Sequence, residues 1–325
     1  MSSPPSILIT AVGALIGQGI LRSLRPVAGK HRLIGIDRRH NAYGASLCDA
    51  SYQKPCVESD PAYLPWLRGV VESENVGLIL PGIEEDVFFF HDHQSAMQDW
   101  PVRVAVNSAT AIAAGRDKWI QHETLLDHGL PVIPSTLPAD WSQLCAAIGE
   151  PPFIAKARRG SGSRGQRVIR TEADWQKHRH ECENGFMVQR IVGSDDDEHT
   201  VGLFGYGDGT SSTVLILRRR LWNGMTWQAE VVEADDSLAA LCSSLTRLFK
   251  PLGPTNYQFR RDGSQWLLLE INPRISSATA MRAGFGFNDA RLCVEHWLHG
   301  VERPQPGALR RGRCQRFVQE HFEFA

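Results

Sequence analysis

Residues 256–274 read NYQFRRDGSQWLLLEINPR, two apolar runs of strand character flanking an Asp-Gly turn signal. This pattern dictates an antiparallel hairpin with polar residues at its open end. Glu270 and Asn272, two residues apart on one strand, share a face because strand side chains alternate. Gln258 lies on the partner strand, and Arg274 stands just past the strand end. Oxygen ligands on one face with an arginine beyond them suit a magnesium-bound phosphate. A buried hairpin with a polar end accounts for the same residue types. A two-residue turn centred on Asp262-Gly263 would set Gln258 opposite Leu267 and on the face away from Glu270. For both to meet one ion, the connection must hold an odd number of residues, centred near Ser264.

The chain has 325 residues, beyond the size at which single cores stop growing, so two or three domains are expected. A hydrophobic content of 42% with 22% charged residues is ordinary for a soluble globular protein. The formal charge of -1 gives no global attraction to nucleic acid or anionic membranes, and neither is expected as a partner. The start, MSSPPSILIT, lacks a basic signal region, and the apolar stretch 7–21 is interrupted by Thr10, glycines and Gln18. Seven cysteines without a CxxC pair point to reduced thiols in a cytoplasmic protein. The histidine pairs His91/His93, His178/His180 and His296/His299 lack a third ligand at metal spacing and receive no metal role. No nucleophile-elbow motif occurs.

Strand-like runs at 6–10, 32–37, 76–80 and 102–106 alternate with helical patterns, which argues a parallel sheet with crossover helices over roughly the first 110 residues. A helix is expected from near Ala113, carrying Arg116, Asp117 and Lys118. The second half mixes strands at 153–156, 168–169, 186–192, 200–204 and 213–221 with helices at 237–249 and 289–298. The tail from Arg303 reads as peripheral. The expected division is 1–112, 113–185 and 186–325.

Between two strands lies Gly160-Ser161-Gly162-Ser163-Arg164-Gly165, whose glycines and donors could wrap an anion; a flexible surface loop is the commoner explanation of such a composition. Lys156 just before it sits like a phosphate-contacting amine at a strand end. Arg218 and Arg220 should share one strand face and would grip phosphate or carboxylate if that face lined a cleft. Near the N-terminus, Gly13, Gly17 and Gly19 with Asp37 resemble a dinucleotide loop, which keeps a nicotinamide-dependent oxidoreductase as a rival reading. The absence of a Tyr-x-x-x-Lys pair favours a Rossmann-like scaffold without that cofactor.

Taken in order, these segments resemble the ATP-grasp superfamily, most closely the ATP-binding modules of carbamoyl-phosphate synthase large subunits. The likeness implies a Rossmann-like pre-ATP-grasp domain followed by a two-subdomain α+β ATP-grasp fold. It assigns ATP to Lys118, Lys156, the loop Gly160 to Gly165, the hinge Gln189-Arg190-Ile191 and Glu198. It assigns Mg²⁺ or Mn²⁺ to Gln258, Glu270 and Asn272, and transition-state charge to Arg274 with Arg218 or Arg220. Arg282 is a further candidate for a substrate carboxylate. The implied activity joins a small-molecule carboxylate to an amine or ammonia through an acyl phosphate, with a homodimer left open. Gln189 stands where many relatives have Glu, and Gln258 resembles the glutamine that some carbamoyl-phosphate synthase modules use as first ligand; two neutral residues here also fit a non-catalytic ATP-binding subunit or sensor.

Overall fold

The computed structural model describes residues 3–160 and 165–317. Its first sheet has five parallel strands: β1 (Ser6–Thr10), β2 (Leu33–Asp37), β3 (Ala50–Gln53), β4 (Val76–Leu80) and β5 (Arg103–Val104). Their order is β3-β2-β1-β4-β5. β1 and β2 are buried along their whole length, as strands covered on both faces must be, and so read as continuous apolar runs. Helices α1 (Leu15–Leu24), α2 (Tyr63–Ser73), α3 (Glu84–Asp92) and α4 (Ala109–Arg116) follow in turn. The α/β expectation for this region therefore holds.

The glycine-rich turn after β1 is closed by main-chain bonds. Asp37 accepts from Gly13 N–H at 2.8 Å through one oxygen and from Arg39 N–H at 2.9 Å through the other. A Cβ on Gly17 would stand 2.3 Å from the Ala11 carbonyl oxygen, so close helix–strand approach requires that glycine. Packing and turn closure account for the pattern without a nicotinamide cofactor.

Beside this turn, the buried Asp86 of α3 accepts from Thr10 Oγ1, which in turn accepts from Gly82 N–H at 2.9 Å. Burial pushes the Asp86 carboxyl up to about 6, against the pull of Lys54 and the Thr10 hydroxyl. The folded protein therefore holds a proton that the unfolded chain releases at lower pH, and stability contributed here falls as pH rises from about 4 to 6. Asp86→Asn, which keeps the acceptor, should flatten that segment of the stability curve in urea melts at stepped pH. An unchanged slope would refute it.

A four-stranded antiparallel sheet, ordered β6-β9-β7-β8, comprises β6 (Ser135–Thr136), β7 (Phe153–Ala157), β8 (Arg167–Ile169) and β9 (Phe186–Arg190). Helices α6 (Trp141–Ile148) and α7 (Glu172–Cys182) cover it through Leu144, Ile148 and Trp175. Because β9 pairs with β6 and β7, it belongs to this sheet and not to the segment 186–325 in which the sequence division placed it. The helix expected to run through residues 116–118 is two helices: Asp117 caps α5 (Lys118–Asp127), accepting from Trp119 N–H at 2.9 Å.

The third sheet has the order β14-β13-β10-β11-β12-β15. It contains β10 (Glu198–Tyr206), β11 (Leu215–Trp222), β12 (Met225–Val232), β13 (Leu252–Asp262), β14 (Gln265–Asn272) and β15 (Arg313–Gln315). One face packs under α8 (Asp236–Phe249) through Leu238, Leu245 and Phe249. The other shares a core with the first domain, where Leu215, Leu217 and Ala229 meet Ile7, Ile9 and Ile20. Two short helices, α9 (Thr279–Gly284) and α10 (Asp289–Cys293), fill that junction. The tail is not wholly peripheral, since β15 pairs with β12. The strand β12 escaped sequence reading, although Asn223 and Gly224, both at positive φ, are a hairpin signal directly before it. Among the described residues, no helix is long and apolar enough to cross a membrane.

Candidate active site

The β13–β14 hairpin turns at Gly263-Ser264, with Asp262 opposite Gln265, not at Asp262-Gly263. Arg260 then pairs with Leu267 and Phe259 with Leu268. Continued without interruption, this register would put Gln258 opposite Leu269 and leave Glu270 on the far face. A β-bulge between Gln258 and Phe259 takes up Leu269, and from there Gln258 faces Glu270 and Asn256 faces Asn272. The odd residue required for a shared face is therefore present, in the strand and not in the turn. Gln121 of α5 secures this stretch, accepting from Ile271 N–H at 3.0 Å.

Cross-strand pairing puts Glu198, Thr200, Arg219, Asn256, Gln258, Glu270 and Asn272 on one face of the sheet. Arg219, passed over in the sequence, is buried and donates to Gln258 Oε1 at 2.7 Å. Arg218 and Arg220 point to the opposite face by alternation and are exposed. They pair with Glu230 and Asp196 around an open groove of about 490 Å³. The arginine run thus presents its middle member, not its outer two, to the polar face. Glu198 is likewise committed: Arg219 and Arg260 both donate to it.

Lys118 and Lys156 stand across the cleft from Glu270. Lys156 is buried on β7 and donates to Gln189 Oε1 at 2.7 Å, while Gln189 donates to Ser135 Oγ at 2.8 Å. Burial, then the neighbouring Lys118 ammonium, pull Lys156 down to about 8. Lys118 donates to the Gly160 carbonyl at 2.7 Å. Asp117 grips Arg158 at 2.8 Å, fixing the strand end from which the glycine-rich loop leaves. Gly160 and Gly165 both have positive φ; Ser161, Gly162, Ser163 and Arg164 lie outside the described residues. Arg190 turns outward to pair with Asp262, and Ile191 is half-buried just past β9. Lys118, Lys156, Gln189, Met187 and Leu269 surround a cavity of about 10 Å³, room for one water.

Glu84, at the start of α3 in the first domain, also reaches this cleft, where Arg274 Nε donates to it at 3.2 Å. Burial raises its carboxyl above the usual value, with Glu270 adding to the effect and Arg274 opposing it. Its signal in the sequence was the acidic triplet Glu84-Glu85-Asp86, set off from β4 by Pro81, Gly82 and Ile83. Arg274 also donates to Asn272 Oδ1 at 2.6 Å, and Asn272 Nδ2 to Glu270 Oε1 at 3.1 Å. Burial works to raise the Glu270 carboxyl, but Lys118, the Asn272 amide, Arg274 and Lys156 together hold it below its ordinary value. Arg282 has no exposure; it is paired with Asp289 and bonded to Thr200, so it is not offered to a substrate.

These donors fit a hard, oxygen-seeking ion only in part. Glu270 is an ionised carboxylate with one oxygen uncommitted among the described contacts. The side-chain oxygens of Gln258 and Asn272 are already held by Arg219 and Arg274. Mg²⁺ keeps water and favours phosphate oxygens, so one carboxylate with two amides suits an ion that comes with a nucleotide.

Residues 183–318 match the family described as ATP-grasp in the biosynthetic pathway with Ter operon. Among solved structures, N5-carboxyaminoimidazole synthetase from Staphylococcus aureus, complexed with ADP, is similar with a TM-score of 0.73 at 16% identity. That likeness covers 96% of this chain and 81% of the other. Biotin carboxylase from Campylobacter jejuni, in a β,γ-ATP complex, gives a TM-score of 0.70 at 19% identity, covering 89% of this chain and 70% of that one. No curated protein matches the chain significantly. Residues 183–318 thus match an ATP-grasp family by sequence, and over 96% of its length the chain shares the fold of the solved synthetase.

Proposed function

We propose that this protein is an ATP-dependent carboxylate–amine ligase with its nucleotide bound between the four- and six-stranded sheets. The observation that carries this reading is the bulge that brings Gln258 onto the face of Glu270, across from Lys118 and Lys156. Both lysines act on the Glu270 carboxyl, so the cleft sets two cations against one anion at the spot where phosphates and a metal would meet. The solved relatives named above carry ADP or an ATP complex, which supports a nucleotide in the same fold.

In this mechanism the lysines hold the phosphates, and Lys118 exchanges the Gly160 carbonyl for a phosphate oxygen. Glu270, with Asn272 and Gln258 turned from their arginine partners, would hold Mg²⁺ or Mn²⁺, which would supply charge neutralisation for the phosphate oxygens. A substrate carboxylate oxygen attacks the γ-phosphorus, the β–γ bridge breaks, and ADP leaves with the bond pair. The amine then attacks the acyl carbon, phosphate departs, and the nitrogen loses a proton. Arg274 and Arg219, both facing the hairpin, supply fixed positive charge near the transferred group. The cavity beside Met187 and Leu269 holds about 10 Å³, so a base seated there would require these two side chains to move.

Incubating the protein with ATP, Mg²⁺ and pools of acids and amines, then reading phosphate release and product masses, tests the proposal. Phosphate release with a product mass equal to acid plus amine minus water is expected. Tight ATP binding without turnover in any pool would favour the sensor reading, which the Arg219-bound Gln258 also fits.

Lys156→Ala should weaken ATP affinity by roughly 10-fold or more, since it removes a charge-assisted bond worth about 1.5–3 kcal/mol. In the unaltered protein, affinity should also fall as pH rises through about 8, where Lys156 loses its proton. Calorimetric titration from pH 7 to 9 checks both. Equal affinity in the variant would remove Lys156 from the site.

A further inference from the structure

His31, just before β2, and His299, just after the helix that follows α10, are 268 residues apart in sequence, yet their Nε2 atoms lie 3.2 Å apart. His31 Nδ1 lies 2.6 Å from the Pro5 carbonyl oxygen. A carbonyl only accepts, so Nδ1 carries the proton, and in the neutral ring Nε2 holds a lone pair directed at His299. A carbonyl that fixes one ring nitrogen so that the other is free is the outer-shell arrangement of metal-binding histidines.

The separation also fits. With Zn–N bonds of about 2.05 Å, two nitrogens on a tetrahedral ion stand about 3.3 Å apart. The backbones that carry the pair are held firmly: a Cβ on Gly77 of β4 would stand 2.7 Å from Pro5 and 2.9 Å from Leu298. Both rings reach the surface, so water can complete the shell.

We propose that His31 and His299 form a two-histidine site for a late first-row divalent ion, Zn²⁺ above all, which clips the first domain to the segment after α10. Imidazole pairs suit Zn²⁺, Cu²⁺ and Ni²⁺ and do not suit Mg²⁺, so this site is chemically distinct from the one at Glu270. The sequence separation is why spacing alone cannot reveal it. Among the described residues no group of three or more His, Cys, Asp or Glu side chains is placed to hold a metal, so the two rings act with water alone.

The test uses the full chain, stripped with a chelator and kept free of nucleotide. Zn²⁺ should raise the melting temperature in a saturable way, and Cu²⁺ should give an electron paramagnetic resonance spectrum with coupling to two nitrogens. His31→Gln and His299→Gln should each lose one metal equivalent and the melting shift, while Glu270→Gln keeps both. A two-nitrogen spectrum that survives in either histidine variant would overturn the proposal. So would a stripped protein whose melting temperature ignores Zn²⁺, which would leave only a hydrogen bond between the rings.

Discussion

Glu270→Gln is expected to cut ADP formation by at least about 10²–10³-fold, the loss typical when a preorganised charge is removed from a reacting phosphate. The variant keeps the shape of the side chain and its bond from Asn272, so the fold should stay intact by circular dichroism. The neighbours make the size of this effect clear. Gln258 and Asn272 are neutral and already engaged by arginines, so Glu270 is the main anion of this hairpin face. Removing it would also take away the one carboxylate acting on Lys156, leaving Lys118 with Glu84 alone. Full turnover in Glu270→Gln would show that the metal, and with it the phosphate, binds elsewhere.

The largest stability effect should come from Arg282→Ala. Arg282 and Asp289 are both fully buried, and the guanidinium also donates to Thr200 and Asn256 beneath the polar face. Removing one partner of such a pair leaves a buried charge uncompensated and costs about 3–5 kcal/mol. Space is tight as well: a Cβ on Gly202 would stand 2.6 Å from the guanidinium. In urea melts the single variant should shift the midpoint strongly, whereas the double change Arg282→Met with Asp289→Leu should recover part of the loss. A single variant within about 1 kcal/mol of the parent would contradict this account.

Sequence reading reached the elements whose signals are local. The apolar runs of β1, β2 and β4, the Lys156 strand and the two halves of the hairpin all declare themselves by composition and period. The same holds for Glu270, Asn272 and Arg274, whose spacing alone sets a common end. What escaped depends on register and on distant chain segments. The face taken by Arg219, and not by its two neighbours, follows from pairing Arg219 with Glu198, which no count along one strand reveals. Glu84 joins the site only because the first domain packs against the end of β14. Arg282 looked like a substrate ligand because a lone arginine after a metal motif says nothing about burial. Asp37 looked like part of a dinucleotide loop because its main-chain partners depend on turn geometry.

The bulge at Leu269 also separates two kinds of change that this hairpin can undergo. Residues 261–265 are exposed, and a Cβ on Gly263 would meet nothing within 4 Å. Lengthening the tip there alters the outer ladder, while Gln121 and the bulge hold the ladder near Glu270. Adding one residue between Leu268 and Leu269 with the bulge kept would do the reverse, keeping the tip and turning Glu270 over to the α8 side, the face of Tyr257. Relatives of this chain can therefore be expected to vary freely in tip length and hardly at all in the residue count between Gln121's main-chain partner, Ile271, and the bulge.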